Sequence, residues 1–116
     1  MDKKDLLLLV ETDKKLTQIK EITGSYIFSS REEFACNDSY IKMGVGILMD
    51  LVNITNKISA TTILSSSYLT KEIPMLNRYK ECIFNEDNTI NSYKLFDFLP
   101  LEIEELKKEI KDLLIK

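Results

Sequence analysis

Apolar positions along this chain recur mostly at three- and four-residue intervals, the period of an amphipathic helix. Leu6, Leu9, Leu16, Ile19 and Thr23 trace the first stripe, with charged residues between them. The spacing predicts a helix from near Asp2 that stops before Gly24, a good helix terminator. Ser30-Arg31-Glu32-Glu33 has the form of a capping box, Ser at the cap and Glu three residues on, and predicts a short helical turn carrying Phe34 and Ala35. Asn37-Asp38 offers the next cap, for a long helix over about Ser39 to Ser59. That helix is apolar on two sides. One stripe is Ile41, Val45, Leu48, Val52 and Thr55; the other is Met43, Ile47, Leu51, Ile54 and Ile58. Two apolar sides imply two buried sides, one against its own bundle and one against a second subunit.

From Ala60 to Ile73 the pattern is ambiguous: Ser65-Ser66-Ser67 interrupts it, although Ile63, Leu64, Tyr68 and Leu69 suit a short helix. Pro74 suits the first turn of the next helix. Met75, Leu76, Tyr79, Cys82 and Ile83 continue that helix, Asn85 to Asn88 form a polar turn, and Asn88 or Thr89 would cap a helix carrying Ile90, Tyr93, Leu95 and Phe96. Pro100 would end it and open the last helix. There Ile103, Leu106, Ile110 and Leu113 make the seam, and Glu104–Lys108 and Asp112–Lys116 are favourable pairs four apart. No segment has convincing strand character. The expectation is a single all-α domain over residues 1–116, an up-and-down bundle of about four to six helices.

Composition sharpens this picture at a few points. A chain of 116 residues with 44% hydrophobic content can build a real core, and 3 Gly and 2 Pro favour long helices over many turns. The net charge of -3 comes with Lys and Arg spread along the whole length, so no basic stripe advertises RNA binding. Histidine is absent, which removes imidazole acid–base chemistry and imidazole metal ligation. Cys36 and Cys82 form no metal-type pair and read as reduced thiols. The apolar run Leu6 to Val10 after Lys3-Lys4 is too short for export or insertion, so a cytoplasmic location is expected, with no membrane contact and no cofactor or metal.

The segment Pro74 to Asn88 carries the chemistry. Its Asn77-Arg78, then Cys82-Ile83-Phe84, resembles the Arg-Asn-x-x-x-His-x-Tyr signature of HEPN ribonucleases, in particular the HepT-like toxins of two-gene toxin–antitoxin modules. The turn Ser30 to Phe34, the long apolar helix, Asn88, Tyr93 and Leu99-Pro100-Leu101 resemble the family in order and spacing. The resemblance implies a homodimer of helical bundles whose paired motifs meet in a cleft and cut RNA without a metal. It also implies a nucleotidyltransferase antitoxin partner that caps the motif Tyr with AMP.

The motif residues here are different. Asn77 stands at the Arg position, Arg78 at the Asn position, Cys82 at the His position and Phe84 at the Tyr position. Asn77 is uncharged, and Arg78 is displaced by one residue, which on a helix turns its side chain by about 100°. A thiolate is a poor acid, and Phe84 has no hydroxyl to modify. General acid–base catalysis is typically worth about 10²–10⁴-fold in rate, and its usual carrier is gone. The expected function is therefore a HepT-like HEPN domain lacking RNase activity, a dimeric interaction or regulatory module of a toxin–antitoxin or defence type system. Two alternatives stay open: an active metal-independent ribonuclease with a rearranged Arg78/Cys82 site, and a generic helical adaptor.

Each candidate residue also has a plainer role. Arg78 can pair with Glu81, Cys82 can be a small buried hydrophobe, and Asp50 can be a solvated or hydrogen-bonded acid. Tyr79 and Tyr93 can belong to the core rather than stack on bases. Gly44 and Gly46 each cost roughly 1 kcal/mol of helix stability relative to Ala. They are either tolerated in a buried helix or, with Ile47 and Leu51, form the dimer interface by letting another backbone approach.

Overall fold

The computed structural model describes residues 2–22 and 28–115, with the side chains of 97–103 excluded. Thr23 and the Gly24 stop lie outside the described residues. The described residues form six helices: α1 (Lys3–Ile22), α2 (Arg31–Ala35), α3 (Asp38–Asn56), α4 (Ala60–Leu64), α5 (Ser67–Cys82) and α6 (Ser92–Ile115). Among them the only extended pairing is a single antiparallel bridge between Phe84 and Ile90. No described helix is long and apolar enough to cross a membrane.

The helix starts follow local chemistry closely. Asp2 Oδ1 accepts from the Asp5 N–H at 2.8 Å, Ser30 Oγ from Glu33 N–H at 3.2 Å and Asn37 Oδ1 from Tyr40 N–H at 3.3 Å. The Glu33 carboxylate closes its side of the capping box on Ser29, taking the Ser29 hydroxyl at 2.6 Å. The triple-Ser stretch marks a boundary between helices, not a breakdown of order. Ser66 caps α5 through the Leu69 N–H at 3.2 Å, and its hydroxyl donates to Glu109 of α6 at 2.6 Å.

Four boundaries differ from the sequence expectation. Helix α3 ends at Asn56, and Ser59 caps α4. Pro74 lies inside α5 rather than at its start, because the Ser66 cap and the buried Leu69 and Ile73 set up helix upstream of it. Pro74 is on the exposed side, where water can reach the Thr70 carbonyl that proline leaves without a donor. Pro100 likewise does not divide α6, whose buried Leu95 and Phe96 on one side and Leu106, Ile110 and Leu113 on the other seat both halves on one core. The cap of α6 is Asn91, accepting from Lys94 N–H at 3.1 Å, not Asn88 or Thr89.

Cross-helix bonds give the topology. Asp5 meets Ser59 and Lys15 meets Asp50, so α1 and α3 run antiparallel. Lys20 meets Glu104 and Lys107 meets Thr17, so α1 and α6 are antiparallel. Ser66–Glu109 and Tyr68–Glu105 set α5 against α6 in the same sense. The four long helices therefore form an up-and-down ring in the spatial order α1, α3, α5, α6. Helices α1 and α5 occupy opposite corners. Leu9, Leu16, Leu48, Leu51, Leu69, Leu106 and Ile110 fill the middle, all at most 2% exposed. Glu104 ties α6 to Lys20 of α1 instead of pairing along its own helix to Lys108, and that Lys20 contact holds the Glu104 carboxyl below its ordinary pKa.

Candidate functional site

The motif positions occupy the last turns of α5 and the turn that follows. Helix α5 buries Leu69, Ile73 and Leu76, and so turns Pro74, Arg78 and Cys82 outward at four-residue intervals. Asn77 sits at the edge of this face beside α3, half-buried. Its amide pairs reciprocally with that of Asn56, the last residue of α3, with both N···O distances at 3.4 Å, and its Nδ2 donates to the Ile73 carbonyl at 3.2 Å. The position that would carry a cation in a HEPN nuclease is thus engaged in a neutral contact between helices.

Arg78 is exposed and makes no ion pair among the described residues; the contact with Glu81 does not form. Cys82 is exposed, not the buried small residue that its stripe suggested. It is the last residue of α5, where the path toward the core passes to Ile83, 2% exposed. Phe84 is half-buried against the core, paired with Ile90 across a tight turn. Asn88 adopts a positive φ of 67° there, tolerable for Asn. Asp87 Oδ1 accepts from the Thr89 hydroxyl at 2.6 Å and the Thr89 N–H at 3.0 Å. These bonds hold the Asp87 carboxyl below its ordinary pKa. No three His, Cys, Asp or Glu side chains gather as a metal-ligand set would, among the described residues.

The four positions expected at a subunit contact divide. Gly44 is buried within the chain: a Cβ there would lie 3.1 Å from Leu95 Cδ2 and 3.8 Å from Ile22 Cδ1. Leu51 is fully buried. Gly46, with no atom within 4 Å of an added Cβ, is exposed, and Ile47 is half-buried near Met43, 50% exposed. Opposite outcomes follow for the two glycines. Gly46→Ala should raise stability by about 0.5–1 kcal/mol, since only helix propensity changes. Gly44→Leu should lower it by about 1–3 kcal/mol by crowding Leu95, which has no exposed surface to retreat to. Urea midpoints of the two variants check both.

One further placement departs from expectation. Tyr93 is 41% exposed, with the Arg31 guanidinium 5.1 Å from its ring centroid, so it joins α2 to α6 at the surface and not in the core. Asp50 is the solvated acid expected, exposed and paired with Lys15 at 3.2 Å. One residue escaped the sequence reading altogether. Asp5, 3% exposed, accepts from the Ser59 hydroxyl at 2.5 Å, the Ser59 N–H at 3.1 Å and the Thr62 hydroxyl at 2.6 Å. The Ser59 and Thr62 bonds hold its carboxyl below the ordinary 3.8. Its signal was in the pattern, since Asp5, Leu9, Thr12, Leu16 and Ile19 form one stripe once Leu6, 40% exposed, is set aside.

Chemically, the α5 face offers one guanidinium and one thiol a helical turn apart, with an amide beside them. Compared with known proteins, the chain matches no family model, no curated protein and no solved structure.

Proposed function

We propose that this chain is a HepT-like HEPN bundle that has lost the ribonuclease chemistry and acts as a dimeric interaction or regulatory module of a toxin–antitoxin or defence type system. The observation that carries this reading is the state of the α5 face. Asn77 is locked to Asn56, and Arg78 and Cys82 stand on the surface with no group beside them that exchanges protons near neutral pH. RNA cleavage through a 2′-hydroxyl needs such a group together with a cation facing the phosphorane. A nucleotidyltransferase partner fits this reading only through binding, since Phe84 offers no hydroxyl for AMP and its ring packs against the core.

The active alternative draws on one observation, the shared exposed face of Arg78 and Cys82, where a guanidinium could hold a phosphate. Incubating the purified protein with structured and single-stranded RNA separates the two. The expected result is no cleavage above a protein-free control, in the wild type and in Arg78→Ala alike. Cleavage by the wild type that disappears in Arg78→Ala would establish the rearranged nuclease instead.

A further inference from the structure

No further inference is drawn: the strongest candidate, the exposed apolar face of α1 around Leu6 and Leu7, bordered by Lys3, Lys4, Glu11 and Lys14, carries nothing because nothing in the structure shows what covers it.

Discussion

Phe34→Ala should be the most damaging single truncation in this chain, lowering stability by about 3–5 kcal/mol. Phe34 is fully buried although it belongs to a helix of five residues, too short to form on its own. Its ring meets Phe28 edge-on at a centroid distance of 5.5 Å and Phe96 of α6 at 5.4 Å, while Phe28 in turn meets Tyr40 of α3 at 5.2 Å. One side chain therefore holds α2, the start of α3 and the start of α6 together. Truncation leaves a cavity at that junction and removes the reason for α2 to stay helical. Against a typical total of about 5–15 kcal/mol, the loss takes the protein to the edge of folding at ambient temperature. A urea titration followed by circular dichroism should place the variant's midpoint far below that of wild type. A midpoint within experimental error of wild type would mean that α2 does not pack as described.

Asp5→Ala should cause the largest loss among polar substitutions, and it should also change the response to acid. The carboxylate accepts from three donors at the α3–α4 junction, so its removal leaves the Ser59 N–H and the Thr62 hydroxyl short of partners and the Ser59 hydroxyl with only its longer contact to Thr62 at 3.3 Å. The sign of the pH effect follows from the direction of the shift. The folded pKa of Asp5 lies below its ordinary 3.8, so the carboxylate stabilises the fold fully at pH values above the unfolded pKa. That contribution is lost as pH falls through the folded pKa. Thermal melts from pH 7 down to pH 2 should show wild type losing its advantage over Asp5→Ala in the acid range, leaving the variant with the flatter profile. Asp87 and Glu104, shifted in the same direction, leave a shallower acid dependence in both proteins. Parallel profiles for the two proteins would mean that the Asp5 cluster carries no charge-dependent stability.

Most of the helices were legible in the sequence, because caps and apolar period are local. Ser30 and Asn37 each accept the backbone N–H three residues on, and that geometry needs no tertiary partner. The prolines were harder. A proline marks a preference against continued helix, but whether the helix continues depends on what the turns on either side bury, and at Pro74 and Pro100 both sides face one core. The motif itself was readable as a set of residue types, yet the states of its side chains were not. Cys82 lies on an apolar stripe and still reaches solvent, because α5 ends there and Ile83 takes the inward path.

The linear pattern alone determined an all-helical chain, the starts of α1, α2 and α3, and a motif without an imidazole or a tyrosine hydroxyl, since these depend on residue identity and local hydrogen bonding. Tertiary packing decided that Gly44 lies against Leu95 inside the bundle, that Asn77 pairs with Asn56, and that Asp5 closes the junction between α3 and α4. It also set the apolar face of α1 diagonally across the bundle from the motif on α5. Each of these depends on which helices are neighbours, and neighbours far apart in the chain are chosen by how several apolar stripes pack at once.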